Sequence, residues 1–386
     1  MKTEKETFIP ISKPSITELE IEYVTDAIKS GWVSSNGRYI NIFEKKFAEY
    51  CGTNYALTTS TGTSALHLAL VSYGIKEGDE VIVPDFTFVS TANAVTYIGA
   101  TVILIDIEED TLCIDPVKVE QVITDKTKAI IPVHIYGHPA NMREINQIAQ
   151  KYNLIVLEDA AEAHGSEVKS QKTGSLGHCA IFSFYGNKII TCGQGGMITT
   201  NDYELYQKAR YLREYAQNKE RRYWHEEIGY NYRMTNLQAA LGLAQLERIN
   251  DIIERKREIF SLYHQNMEGC DGVKLNFTAD WALNNYWLIC LQVENFTETE
   301  RNIFMKYLSS RGIESRPFFY PLSNMPMYID SGQRTHVSHA ISPTGVNLPS
   351  YEEIKTEDIN YICNCIKTYL SDVDLTVCSG AHGVTS

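Results

Sequence analysis

The stretch TTSTGTSALHLAL, residues 58–70, decides the fold class. Its first residues close an apolar strand that opens at Tyr55. A turn of small residues follows around Gly62, and helical spacing runs from about Ser64 to Tyr73. Outward from it the same order recurs. Short apolar strands are expected at 80–83, 101–105, 129–133, 154–157, 180–184 and 196–199, with helical patterns at 90–98, 115–123 and 142–152 between most of them. Near-continuous apolar strands alternating with helices predict an α/β fold: a mixed, mostly parallel seven-stranded sheet, buried between helices. On the N-terminal side, residues 16–30 carry Ile21, Val24 and Ile28 on one helical stripe, and Gly31 follows as a stop. On the C-terminal side comes a long helical region, most regular at 237–246, then a connecting helix at 251–265. A strand at 287–293 and helices at 299–310 and 356–370 complete the pattern. The 386 residues exceed one small core. The expected division is a large domain over 10–250, a smaller C-terminal α/β lobe over 251–371, and a disordered tail over 372–386.

The net charge of −13 argues against a nucleic-acid partner, since neutralising phosphates takes clustered Lys and Arg. The N-terminus MKTEKETFIPISKPS lacks an apolar signal core, and runs such as 129–133 and 154–157 are far too short to span a bilayer. A cytoplasmic protein with no membrane partner is expected. Nine cysteines in no paired framework fit reduced thiols, and the closest pair, Cys363 and Cys365, falls on a helical pattern that points them apart. No metal site is expected.

Ligands of open parallel sheets bind beyond the carboxyl ends of the strands, and four segments fall there. TTSTGTSALHLAL offers backbone N–H groups and a helix dipole to an anion, without the GK[ST] ending of a P-loop. LIVLEDAAEAHGS (154–166) places Asp159 just past a buried strand, where a carboxylate needs a cation or a site to serve; Glu162 and His164 follow. FSFYGNKIITCGQGGMITTND (182–202) sets Lys188 in a loop between two strands, where burial would make it a nucleophile. VPDFTFVS (83–90) brings Phe86 and Phe88, either of which could stack on a flat ring. Each signal is weak alone. Together, an anion-binding helix start, a strand-end carboxylate, an aromatic side chain and a loop lysine are what a pyridoxal phosphate (PLP) enzyme requires. A nicotinamide dehydrogenase is disfavoured, because no G-x-G-x-x-G opens the first strand–helix unit.

The chain resembles the DegT/DnrJ/EryC/StrS sugar aminotransferases of PLP fold type I over about residues 9–370. The matching stretches include GWVSSNGRYINIFEKKFAEY, TSTGTSALHLAL, GDEVIVPDFTFVSTANAV, EDAAEAHGS, FSFYGNK, GYNYRMTNLQAALGLAQLE and GVNLPSY. The resemblance implies pyridoxal 5'-phosphate as cofactor, L-glutamate as amino donor and a homodimer with shared active sites. It implies that Lys188 carries the cofactor as a Schiff base and later moves protons, and that Asp159 pairs with the pyridine nitrogen. By the same likeness Glu162 lies near the ring hydroxyl and Phe88 stacks on the ring. Gly62, Thr63 and Ser183 hold the phosphate, and Asn231 reaches it from the neighbouring subunit. Ser35 and Tyr320 are expected on the substrate side. The acceptor implied is a nucleotide-linked 4-keto-6-deoxy sugar, for surface polysaccharide or glycoconjugate synthesis, and the likeness is strongest to the branch that uses GDP-sugars. Where that branch has a His-Thr pair after FYP, this chain has FYPLSNMPMY, with Ser323 and Asn324. Two alternatives are carried: an aminotransferase for a small phosphorylated keto compound, and a non-catalytic sensor or scaffold on the same fold.

Overall fold

The computed structural model describes residues 8–329 and 335–380, the last eight of them as backbone only. A seven-stranded sheet forms the centre. In chain order its strands are β1 (Tyr55–Thr59), β2 (Glu80–Pro84), β3 (Thr101–Ile105), β4 (Thr127–Ile130), β5 (Ile155–Asp159), then, beyond the two-residue strands β6 (Glu167–Val168) and β7 (Gln171–Lys172), β8 (Cys179–Ser183) and β9 (Gly196–Thr200). Their spatial order is β1-β9-β8-β5-β4-β2-β3. Only β9 runs against its neighbours; the other pairings are parallel. The carboxyl ends of β1, β8, β5, β4 and β2 therefore open on one edge. Each of the seven expected strands is present, within three residues of its expected limits.

Helices cover both faces: α1 (Glu18–Lys29), α2 (Arg38–Cys51), α3 (Gly62–Ser72), α4 (Ser90–Tyr97), α5 (Pro116–Gln121), α6 (Met142–Tyr152), α7 (Tyr203–Arg213) and α8 (Asn236–Glu247). Phe43, Phe47, Phe182 and Phe184 interlock on one side of the sheet, and Leu66, Leu70, Val95 and Ile198 pack on the other. The long helical region expected before residue 250 is in fact interrupted. After α7, Tyr215, Ala216 and Tyr223 take positive φ, and Gln217 bridges His225. Such backbone ends a helix.

Helix α9 (Ile249–Met267) leads into a second unit with its own core, including Ile289, Leu291, Phe304, Leu308, Val346, Ile362 and Ile366. Its four-stranded sheet joins β10 (Val273–Leu275) and, beyond the short β11 (Ala282–Leu283), β12 (Ile289–Val293), β13 (Arg316–Pro317) and β14 (Gly345–Leu348), in the order β10-β12-β14-β13. Helices α10 (Glu298–Ser309), α11 (His336–Ile341) and α12 (Thr356–Gly380) pack on it. Helix α12 continues beyond Asp372, where the sequence reading placed the start of a disordered tail; the remainder of that expected tail, 381–386, lies outside the described residues. Among the described residues no helix is long and apolar enough to cross a membrane. No group of three His, Cys, Asp or Glu side chains there could hold a metal ion.

Two carboxylates tie the C-terminal unit to the sheet edge. Asp85, after β2, accepts from Ser323 N at 2.7 Å, from Ser323 Oγ at 2.9 Å and from Thr335 Oγ1. Asp106, after β3, accepts from Val337 N and Ser338 N, both at 2.9 Å, and so caps α11.

Candidate active site

The site is built where the parallel strands end. Strand β1 passes through Ser60 and Thr61 into α3. Thr61 Oγ1 accepts from Ser64 N at 3.0 Å, and Ser64 Oγ accepts from Thr61 N at 2.9 Å. This capping box leaves the N–H groups of Gly62 and Thr63 at the open positive end of the helix. A Cβ on Gly62 would lie 2.9 Å from Ser183 Cβ, and one on Gly196 would lie 2.3 Å from the Thr61 carbonyl oxygen. Any side chain at either position would therefore close the hollow in which α3, the end of β8 and the start of β9 meet. Gly62, Thr63 and Ser183 stand together there, and free N–H groups at a helix start suit an anion.

Asp159 ends β5 and is 4% exposed. Its Oδ2 accepts from Thr91 Oγ1 of α4 at 2.8 Å, and its Oδ1 from Ala161 N at 3.2 Å. Burial pushes this carboxyl above the usual range, against the pull of those hydrogen bonds and of Lys188. A buried carboxylate held by one hydroxyl and one amide has room for a cationic N–H.

Lys188 lies on the loop between β8 and β9, its side chain 12% exposed, with Nζ 3.5 Å from Glu162 Oε1. Desolvation lowers its pKa, while Glu162 and then Asp159 hold it up. Burial likewise raises Glu162, whose Oε2 accepts from Tyr136 N at 2.8 Å. The lysine thus approaches the neutral form a nucleophile or base needs, with a carboxyl beside it to exchange a proton. Of the two candidate aromatic residues, Phe86 is fully buried, against Tyr136, Phe318 and Phe319. Phe88 is 55% exposed, 6.2 Å from the Phe319 ring, and is the one with a free face.

The remaining expected residues lie apart from this cluster. Asn231 is exposed between Tyr230 and Tyr232, whose stacked rings pack on His67, and its backbone bridges Glu214. Ser35 lies in the loop before α2, next to Ser34, whose carbonyl accepts from Asn236 N at 2.6 Å. Tyr320 turns its hydroxyl to α10, within 3.0 Å of Arg301 and 3.1 Å of Glu298, rather than to Lys188. The sequence reading missed Thr91, Tyr136 and Trp287. Thr91 stands one helical turn from Thr87 in the quoted VPDFTFVSTAN run, a spacing that aims it back at the strand ends. Tyr136 and Trp287 carry no local signal: their rings, 6.3 Å apart, meet only through the tertiary fold.

A phosphate cradle, a buried strand-end carboxylate awaiting a cation and a desolvated lysine fit pyridoxal phosphate group by group. The fold agrees. A candidate sugar aminotransferase of Streptococcus pneumoniae in its PLP form is 29% identical, covers 95% of this chain and 99% of its own, and has a TM-score of 0.90. A 3-amino-5-hydroxybenzoic acid synthase, 28% identical and covering 94% of this chain and 99% of its own, has a TM-score of 0.89. The protein is a PLP-dependent aminotransferase. More narrowly, it belongs to the DegT/DnrJ/EryC1/StrS aminotransferase family, whose pattern matches residues 14–367. GDP-perosamine synthase of Escherichia coli O157:H7 is 45% identical over 95% of this chain and 99% of its own. The enzyme of that name from Caulobacter vibrioides is 44% identical over 92% and 96%.

Proposed function

We propose that the enzyme moves the amino group of L-glutamate to the keto carbon of a GDP-linked 4-keto-6-deoxy sugar, for polysaccharide or glycoconjugate synthesis. The observation that carries this reading is the 45% identity to a GDP-perosamine synthase along nearly the whole of both chains. At residues 323–324 the chain departs from the His-Thr pair of the GDP-sugar branch. Ser323 is spent on Asp85, and Asn324 Oδ1 lies 3.0 Å from His339 Nε2. Ser323 pins the 318–325 segment to the sheet edge and Asn324 ties it to α11, so the change there alters how the segment is anchored.

The cofactor, when bound, supplies a carbonyl that links to Lys188 and a ring that draws electrons from the donor's α-carbon. Asp159 holds the proton on the ring nitrogen. Gly62, Thr63 and Ser183 bind the phosphate through N–H and O–H donors. Lys188 Nζ would take the donor's α-proton and pass it on, and Glu162 would keep the amine close. Phe88 covers the open face.

A second copy of the chain completes the site through Asn231. Trp32, Tyr223, Trp224 and Ile228 are exposed on the two loops that carry Ser35 and Asn231, an apolar surface of the kind subunits cover. Asn231→Ala is expected to weaken cofactor retention roughly tenfold, the cost of about one charged hydrogen bond; unchanged retention in equilibrium dialysis would remove the shared-site reading. Cys51, Cys113, Cys179, Cys192, Cys290, Cys363 and Cys365 are free thiols, which suits work in the reducing cytoplasm.

A coupled L-glutamate assay over a panel of acceptors tests the substrate. The GDP-linked 4-keto-6-deoxy sugar should exceed the same sugar on other nucleotides, and small phosphorylated ketones, by roughly tenfold or more in kcat/KM. Equal use of a small phosphorylated ketone would overturn the nucleotide-sugar assignment.

A further inference from the structure

Glu162 and, farther off, Asp159 act on Lys188 by charge; a third neighbour is aromatic. Lys188 Nζ lies 3.8 Å from the centroid of the Trp287 ring. Trp287 is 4% exposed, and its Nε1–H donates to the carbonyl of Asn187, the residue before the lysine, at 2.7 Å. The indole therefore grips the loop and lies against the amine that the loop presents. Its own place is firmly set. Trp287 N donates to Asn285 Oδ1 at 2.8 Å, and Asn285 Nδ2 donates to the carbonyls of Glu162 and His164 at 3.0 and 3.1 Å. On the other flank Ser350 Oγ donates to the Trp287 carbonyl at 3.2 Å, and the buried Lys256 holds Ser350 in turn. The turn bearing Glu162 and the bend before β12 that bears Trp287 are thus one hydrogen-bonded body, with Lys188 between them.

We propose that Trp287 is a positioning residue for Lys188: its N–H fixes the lysine's loop, and its ring face is the dock for the ε-amino group whenever that group is not linked to the cofactor. The proposal rests on Lys188 being the linked lysine. The chemistry explains why a ring suits the task. A carboxylate alone would hold the lysine as an ammonium ion, which cannot take a proton. An aromatic face attracts the cation and also accepts an N–H from the neutral amine. The arm can then stay within reach of the substrate carbon in both protonation states.

Two readouts test this. In cofactor-free protein, acetic anhydride labelling of Lys188 is followed by peptide mass spectrometry. In the holoenzyme, the primary isotope effect on kcat is measured with α-deuterated L-glutamate. Trp287→Leu should label Lys188 roughly 3-fold faster or more, as a lost cation–π contact frees the arm, and should raise the isotope effect, because proton transfer becomes slower relative to the other steps. Trp287→Met, which fills irregular core space, serves if the leucine variant does not fold. Trp287→Phe keeps the face and should restore both readouts towards wild type. Wild-type labelling and isotope effect in the leucine or methionine variant overturn the proposal. A phenylalanine variant that behaves like leucine overturns the dock. Borohydride reduction of the wild-type holoenzyme with peptide mapping separates the underlying reading: cofactor trapped on another lysine refutes the role of Lys188, whereas cofactor on Lys188 with unchanged labelling refutes only the role of Trp287.

Discussion

Lys188→Ala is expected to abolish turnover and the visible band of the lysine–cofactor linkage, while the protein still folds and binds the cofactor's phosphate. The side chain is asked to do two things, to form the covalent link and to move the α-proton. A positioned acid–base group contributes about 10²–10⁴ in rate, and loss of the link adds to that, so kcat should fall by at least about 10³. The alanine leaves Glu162 and Asp159 without their common cation; both carboxyls, already raised by burial, are expected to take up protons, which limits the damage to the fold. Steady-state kinetics and the absorption spectrum check this, and a variant that turned over within tenfold of wild type would place the chemistry elsewhere. The direction of the lysine shift carries a pH signature. Because burial lowers its pKa, the neutral amine should prevail at a pH below the ordinary lysine value. The rate at which cofactor-free wild type forms its visible band should rise with pH and level off before the ordinary lysine range is reached.

Asp159→Asn is expected to fall second. The substitution keeps shape and can keep the Thr91 hydroxyl as a partner, but removes the charge that holds a proton on the ring nitrogen. A loss of ~2–3 pKa units on that nitrogen corresponds to roughly 3–4 kcal/mol, or about 10²–10³ in kcat if the protonated ring is needed throughout. The effect should fall mainly on kcat, with cofactor affinity reduced less, because the phosphate cradle on α3 and β8 is untouched. An asparagine variant with wild-type kcat would mean that Asp159 serves only the fold, through Thr91 and Ala161.

The large sheet was readable because its strands are buried on both faces and so form apolar runs, from the leucine, isoleucine and valine of β5 to the alanine and isoleucine of β8. The two-residue strands β6 and β7 were not: Glu167, Val168, Gln171 and Lys172 carry no pattern, among the described residues β7 pairs only with β6, and β6 pairs in turn with Ala282 and Leu283 more than a hundred residues away. The break at residues 214–235 depends on positive φ at Tyr215 and Ala216, which neither residue type announces. Within the site, Gly62, Asp159, Glu162, Ser183 and Lys188 were legible because each stands next to a strand end in the chain itself. Trp287 was hidden because its approach to Lys188 depends on how the C-terminal unit docks, and Tyr136 because it meets Glu162 only where the neighbouring strands β4 and β5 end. Chain position does not give orientation: Phe319 turns to Tyr136, their rings 5.2 Å apart, while the Tyr320 hydroxyl turns to Arg301.

The most direct test of the central claim is the visible absorption spectrum of the purified protein with pyridoxal phosphate, recorded before and after L-glutamate is added. A linkage band that forms in the wild type, is absent from Lys188→Ala and bleaches with L-glutamate is the predicted result. No band in the wild type, or a band that persists in the alanine variant, would contradict the account.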